Sequence, residues 1–548
     1  MTERKRSRIE TLAAALFFAL CFLSSAYLAY RTSEYIFDSD ASSELVLAEL
    51  LSRQGGILSS DWFYSTELRV LNTQLVYAPL FHIFPEWRMV RFVGAAILQA
   101  ILALSMLFCT RQAGVQRSVG LVCTGLLLLP LSVSYARIVL MHCYYIPHIA
   151  IGLFLTGLLL AALRGEKPAR SRRWYLCGYL ALSLVSGLGG LRQLMVTFLP
   201  LLVACGVLLL LWSEKKPLSL RPDCLRTRGF AYALLGSGYC AAGYFCNLKL
   251  LSKVYDFWDF STTKLLPLRF EALEEHIQSL MSLFGYRTGV SPFSPVGLTG
   301  LAGAGLLLVC LVFSARLLRA AREEGPPYGL LLAGAQFPAA LISTCPLMAL
   351  SGWHETLYWI PVAALSPLLL AAVWTDAKKR GLRLRRAGLL LMTLCVCANA
   401  VVVEDYLVAR HCGAEIKGSS LSYEGLNFSD IDQVRRMRPV TTFLVEQGYR
   451  YGYASFWNAN ICTEMTDGAL RLIPLEFKGE QACYYAWLTA RSEARAALLQ
   501  EKVFLLLTSA ESAHNRPAGL AQAQPVYDDG TYCIFDLPAG SFVPESPG

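Results

Sequence analysis

Apolar runs long enough to cross a bilayer recur along the first 400 residues of this chain. Each holds about 18 or more nearly uncharged residues, which as a helix covers the ~30 Å hydrocarbon core of a membrane. Composition agrees: 55% of the 548 residues are hydrophobic, 16% are charged, and the mean hydropathy is +0.44. Soluble domains carry roughly 45–50% apolar and about 25% charged residues. A cytosolic enzyme, a nucleic-acid binder and a disordered chain are thereby excluded. The net charge of +9 needs no nucleic-acid partner, because most of it sits in short loops beside the apolar runs.

Arg4, Lys5, Arg6 and Arg8 precede a first run from Thr11 to Tyr30. It exceeds the about 7–15 apolar residues of a signal peptide, so it reads as an uncleaved span. Further spans are expected near 89–109, 118–138, 145–163, 174–189, 194–212, 229–249, 296–315, 328–350, 356–375 and 387–405, about 11 helices in all. With the N-terminus inside, the tail and the loops at 111–117, 164–173, 213–228, 316–327 and 376–386 carry 25 Lys and Arg. The opposite loops, at 31–88, 137–144, 190–193, 251–295 and 351–355, are longer in total and carry 10. This is the asymmetry of the positive-inside rule.

The expected fold class is therefore a mainly α, polytopic membrane protein of about 11 transmembrane helices plus a small α/β extracytoplasmic C-terminal domain. Residues 1–405 form the transmembrane module, with 31–88 as its first exterior loop, and 406–548 form the exterior domain. In that domain β-rich stretches (Tyr449–Trp457, Val503–Thr508, Thr531–Leu537) lie between helical ones (Asp432–Gln447, Ala490–Gln500). Most of the 17 cysteines lie in spans, where a free thiol behaves as a small apolar group. Cys412, Cys462, Cys483 and Cys533 fall outside them, and spacing alone does not pair them. No metal, phosphate-loop or dinucleotide motif stands in a usable context, and no internal repeat supports an inverted-repeat transporter.

Charges deep in a membrane mark ion or proton pathways. Here the span middles are almost free of them, and ionisable residues gather at the outer ends. Asp38 and Asp40 follow the first span, Arg91 opens the second, Arg137 ends the third, and His142 and His148 flank the fourth. Arg192, Lys249, His354, Glu355, Glu404 and Asp405 occupy equivalent places on later spans. Any one of them suits ordinary interfacial anchoring. Together they point to chemistry at headgroup depth on the outer face.

The first exterior loop reads Phe37-Asp38-Ser39-Asp40-Ala41-Ser42-Ser43-Glu44-Leu45, with Leu45, Ala48 and Leu51 at helical spacing. An interfacial helix begins here, and Asp38 or Asp40 suits its N-cap. One cap explains one aspartate, leaving a second carboxylate for general-base work or metal ligation. Ser59-Ser60-Asp61-Trp62-Phe63-Tyr64 follows, an aromatic cluster suited to the headgroup layer.

These residues resemble the membrane glycosyltransferases of the GT-C superfamily, which include protein O-mannosyltransferases, oligosaccharyltransferases and the aminoarabinose transferases that modify lipid A. In that family a catalytic Asp follows the first span and opens an interfacial helix, commonly as D-x-x-x-x-x-x-x-A-x-x-L. Asp40, Ala48 and Leu51 match that spacing. Glu355-Thr356-Leu357-Tyr358-Trp359-Ile360-Pro361 is similar to the E-R-Y-L-L-P stretch of bacterial members, with Leu357 where that stretch has Arg.

The resemblance implies sugar transfer from a polyprenyl-phosphate-linked donor to an envelope glycan, lipid or protein acceptor at the outer face. Asp40 would act on the acceptor hydroxyl, and Asp38 would assist it or bind a divalent Mg or Mn ion. No cofactor is otherwise implied, and the membrane lipid is the only further partner. A fixed cation is needed for the leaving phosphate. Arg192 in Gly187-Leu188-Gly189-Gly190-Leu191-Arg192 is the first choice, although such glycines equally serve helix packing. Arg137 and His142 come next; His142 equally suits a hydrogen-bonded interfacial role. Glu355 and Tyr358 are carried by the second motif, and His354 precedes it at the outer end of the same span. In the exterior domain Trp457 and Asn458 suit sugar recognition, or else a strand end entering an Asn-capped helix. The rival classes are a transporter or flippase of lipid-linked glycans, which requires charges deep in the spans, a glycan polymerase or ligase, and a non-catalytic scaffold.

Overall fold

The computed structural model describes residues 3–65, 68–165, 168–213, 224–257, 270–286, 290–322, 326–351, 356–376, 382–411, 429–478, 481–514, 516–520, 522–538 and 544. His354, Glu355 and Cys412 lie outside the described residues. The chain is mainly helical and divides into two compact units. One comprises residues 1–28, 96–248 and 262–426; the other comprises 29–95, 249–261 and 427–548. The segment expected as the first exterior loop thus folds into the same unit as the C-terminal residues.

In the first unit the helices follow the apolar runs. Among the described residues eight helices are long and apolar enough to cross a membrane: Ser7–Thr32, Trp87–Ala113, Ile146–Leu163, Leu194–Leu211, Gly297–Arg322, Tyr328–Leu350, Thr356–Thr375 and Arg386–Val403. The first two begin or end in the second unit. Each coincides with an expected span, and the chain is a polytopic membrane protein. The other three runs differ. Residues 174–189 and 229–249 lie in the helices Ala169–Leu188 and Leu225–Lys249, which are long but more polar. Residues 118–138 are not one helix. The helix Arg117–Leu127 stops ahead of Pro130, which disfavours helix at the residue before it and lacks an N–H. A new helix then starts at Ser132, whose hydroxyl accepts from the Tyr135 N–H at 3.1 Å, and runs on as π-type turns over Ala136–Met141.

The second unit is built around strands β1 (Trp62–Tyr64), β2 (Asp256–Phe257), β3 (Tyr451–Ser455), β4 (Arg471–Lys478), β5 (Gln481–Tyr484), β6 (Thr489–Ala490), β7 (Lys502–Thr508), β8 (Tyr527–Asp528) and β9 (Tyr532–Pro538). Six form a mixed sheet in the order β5-β4-β3-β7-β9-β8, with β3 parallel to β4 and β7 and the remaining pairs antiparallel. Strand β7 explains the architecture. Phe504 and Leu506 join one apolar cluster while Val503, Leu505 and Leu507 join another. A strand apolar on both faces belongs in the middle of a covered sheet. The helix Ser429–Glu446 covers one face with Val434, Met437, Val440 and Leu444.

Phe37, from just before the first-loop helix, lies in that same cluster. β1 pairs with β2 and β6, so three separate chain segments meet in one small sheet. Trp62 and Tyr64 of β1 are wholly buried, so the aromatic run expected at the headgroup layer is core instead. The sixteen cysteines among the described residues are free thiols.

Candidate functional site

The two aspartates lie at the start of the helix Ser39–Gln54, and the structure separates their roles. Asp38 is the N-cap: its carboxylate accepts from the backbone N–H groups of Asp40 and Ala41 at 3.1 and 3.2 Å. Asp40 sits in the first turn, half-buried, and has no part in capping. Gly55 closes the helix at φ 75°, a left-handed conformation that suits glycine, and donates to the Leu51 carbonyl. Between the two ends the helix packs against the helices Gln74–Leu80 and Phe456–Met465.

Its polar side chains are held by charges that the sequence did not reveal. Glu464 forms a buried two-point ion pair with Arg91 and accepts from Ser42 at 2.6 Å. Glu44 pairs with Arg69 at 2.6 Å and accepts from Thr73. Burial is the largest influence on Glu44 and pushes its carboxyl above the ordinary range, with Arg69 and Thr73 opposing. Glu49 accepts both ends of the Arg471 guanidinium at 3.1 and 3.2 Å.

Ser39, next to Asp40, donates to the Trp457 carbonyl at 2.9 Å. Trp457, 66% exposed, therefore lies beside the start of the Asp40 helix. Asn458 does not share that exposure. It is buried in the first turn of the helix Phe456–Met465 and donates to the Ser455 hydroxyl at 3.0 Å; the N-cap is Ser455, so the expected Asn cap does not form. Asp61 is also structural, because its carboxylate accepts from the Ser492 N–H at 2.9 Å at the start of the helix Arg491–Leu498. Among the described residues no three His, Cys, Asp or Glu converge to hold a metal ion. The Asp38 cap engages one carboxylate oxygen, Oδ1.

The first unit gathers a second set. The helix Ala169–Leu188 ends at the glycines, and a new helix begins by Arg192, entering π-type turns over Leu194–Phe198. Gly190 takes φ 133° in the turn. Gly187 serves packing: a Cβ there would lie 2.0 Å from the Cys240 carbonyl oxygen. Arg192 donates to the Tyr145 hydroxyl at 3.0 Å, with its guanidinium 5.4 Å from the Tyr145 ring and 5.9 Å from the Tyr358 ring. Tyr145 packs edge-on to His148 and Tyr144, and Tyr144 lies 6.4 Å from the His142 ring. Arg192, Tyr358 and His142 are thus brought into one aromatic neighbourhood. Arg137 lies on the π-type turns five residues before His142, half-buried. Such turns are frequent at functional sites. Tyr144 and Tyr145 went unassigned, although they adjoin His142 in sequence.

No protein-family model matches this sequence, and no curated protein matches it. Solved structures do. A crystal structure described as ArnT from Cupriavidus metallidurans bound to undecaprenyl phosphate aligns with a TM-score of 0.54 at 12% identity, over 97% of this chain and 99% of that one. The same protein in the apo state gives 0.51 at 12%, over 97% and 100%. A more distant similarity, to the Archaeoglobus fulgidus oligosaccharyltransferase in complex with Zn and sulfate, has a TM-score of 0.43 at 14% identity over 89% of this chain and 67% of that one. The first two establish the fold. This chain has the fold of the ArnT structure.

Proposed function

We propose that the chain is a glycosyltransferase that moves a sugar from a polyprenyl-phosphate carrier to an acceptor glycan, lipid or protein at the outer face of the membrane. The observation that carries this reading is Asp40. It stands in the first turn of the helix that follows the first span, half-buried, while its neighbour Asp38 caps the helix. The ArnT neighbour, which shares the fold, holds undecaprenyl phosphate. The N-terminus lies in the cytoplasm and the C-terminal residues outside, from the distribution of Lys and Arg in the loops.

In this reaction Asp40 takes the proton of an acceptor hydroxyl as its oxygen attacks the anomeric carbon. The bond from that carbon to the carrier phosphate breaks, and the phosphate leaves with the electron pair. Taken by itself, the first unit offers Arg192 as a cation for a lipid phosphate. Its guanidinium stays charged beside Tyr145 and presents a planar fork to phosphate oxygens. Arg137 is the next cation on the same face. A divalent ion acting here would draw most of its ligands from phosphate and water.

Asp40→Asn tests the reading directly. The cap at Asp38 is untouched, and losing a first-turn charge costs about 0.3–1 kcal/mol of stability. Transfer of labelled sugar from a polyprenyl-phosphate donor should fall about 10²–10⁴-fold, the usual worth of a general base. Unchanged transfer by a well-folded Asp40→Asn protein overturns the assignment.

A further inference from the structure

Four aromatic rings cluster beside the start of the Asp40 helix. Phe456, Trp457, Tyr485 and Trp487 meet with centroid separations of 5.4 Å (Phe456–Trp457), 5.6 Å (Phe456–Tyr485), 4.7 Å (Phe456–Trp487) and 5.7 Å (Tyr485–Trp487). Phe456 is buried and forms the floor. Tyr485 and Trp487 are partly exposed, and Trp457 is largely so. The shelf is fixed from both sides. The Trp457 carbonyl takes the Ser39 hydroxyl, and Leu488, just after Trp487, is held at φ 54° with its N–H donated to the Phe63 carbonyl.

The carboxylates of Glu476 and Asp40 lie within electrostatic reach of Tyr485. After burial, the chief causes that push the Tyr485 phenol upward are the negative charges of Glu476 and Asp40. Glu476 is exposed. We propose that Trp457, Tyr485 and Trp487 form a binding shelf for one uncharged pyranose ring of the acceptor, next to Asp40. The proposal rests on the glycosyltransferase reading and names its acceptor as a glycan. A pyranose offers a C–H face that lies flat on aromatic rings and hydroxyls that donate to carboxylates. A phosphate-bearing headgroup lacks the first and is repelled by the second. Charge therefore favours a neutral sugar over an anionic lipid at this place. Asn458 is buried and bonded to Ser455, so it is not counted in the shelf.

The test is saturation-transfer NMR on the full-length protein in nanodiscs. The probes are methyl β-D-glucopyranoside, methyl β-D-galactopyranoside and methyl α-D-mannopyranoside. Ring C–H protons of at least one should receive saturation, and Trp457→Ala should weaken that binding about tenfold or more. Trp457→Phe should keep most of it, which separates stacking from a folding defect. No saturation of any pyranoside, or equal saturation in Trp457→Ala, overturns the shelf. A parallel arm incorporates brominated phosphatidylcholine and follows the fluorescence of a protein retaining only Trp457 and Trp487. Strong quenching would place these rings in the bilayer as membrane anchors and also overturn the proposal. Because the readout is binding, sugar bound by a protein that transfers nothing would refute the transferase reading and leave the shelf standing.

Discussion

The ion pair between Arg91 and Glu464 is the sharpest test of how the Asp40 helix is held. Both side chains are nearly sealed from solvent, at 3% and 2% exposure, and Glu464 also serves the Ser42 hydroxyl on that helix. Removing one member of a buried pair leaves an uncompensated charge and costs about 3–5 kcal/mol. In Glu464→Leu the stranded guanidinium still lies within electrostatic reach of Glu44. Glu44 already serves Arg69 and Thr73, so the relief is partial and about 3 kcal/mol is expected. Arg91→Met leaves Glu464 buried with one hydroxyl donor and should cost at least as much.

The double variant Arg91→Met/Glu464→Leu removes both charges and should cost about 1 kcal/mol, chiefly the Ser42 hydroxyl left without its acceptor. The coupling energy is then about 5–7 kcal/mol, read from denaturant unfolding of the purified protein in detergent by tryptophan fluorescence. Arg53→Ala is the control. Its side chain is 50% exposed and its pair with Glu493 should be worth below about 1 kcal/mol. Single variants at 91 and 464 that each cost below about 1 kcal/mol and add without coupling would refute the reasoning.

The Arg192 assignment predicts a turnover loss of roughly 10–150-fold in Arg192→Ala and partial activity in Arg192→Lys, from a charge-assisted hydrogen bond of about 1.5–3 kcal/mol; a normal turnover number in Arg192→Ala moves the phosphate role to Arg137. Glu44 predicts a pH dependence. Since burial raises its folded value above the ordinary 4.5, its contribution to stability is fully present below 4.5 and is lost as pH rises through the raised value. Glu44→Gln should flatten that part of the stability profile, and an unchanged slope counts against it. The orientation predicts that an impermeant maleimide labels half-exposed Cys483 in sealed cells and spares Cys224, in single-cysteine proteins. Burial opposes ionisation of the Cys224 thiol, yet the backbone N–H groups of Thr227 and Arg226 lower it, so Cys224 should react promptly once the cells are opened, and labelling before that reverses the topology.

What the sequence made legible is what local chemistry decides. Eight spans were readable because an 18-residue apolar window is a local property, and β7 and β9 because runs such as Val503–Leu507 have no other home than a covered sheet. Strand β4 was missed where Pro474, set opposite Ala454 in the ladder, interrupts an otherwise extended run. The break in 118–138 follows from Pro130, whose effect outweighed an apolar composition on both sides. The charge network had no sequence signal. Arg91 and Glu464 lie 373 positions apart, Ser42 and Glu464 lie 422 apart, and nothing local marks them as partners. Arg69 looked like any loop arginine.

The structure also divides the first-loop motif into parts with different physics. Ala48 and Leu51, which gave the family spacing, are wholly buried or nearly so and take no part in chemistry. They set how closely this helix approaches its neighbours, and a small residue at 48 permits that approach. The polar positions Ser42, Glu44 and Glu49 are each tied down, to Glu464, Arg69 and Arg471. Asp38 is tied to the backbone. A helix needed only to cover the core would do so with its apolar positions and would gain little from burying charges, since replacing buried pairs by apolar residues is often neutral or stabilising. Ion pairs on successive turns instead fix where the helix sits along and around its axis. That is what a catalytic carboxylate requires, because small misplacement of a reacting group costs rate steeply. Asp40 stands in the first turn of the helix that these ties hold, which is why its position is set by residues distant in sequence.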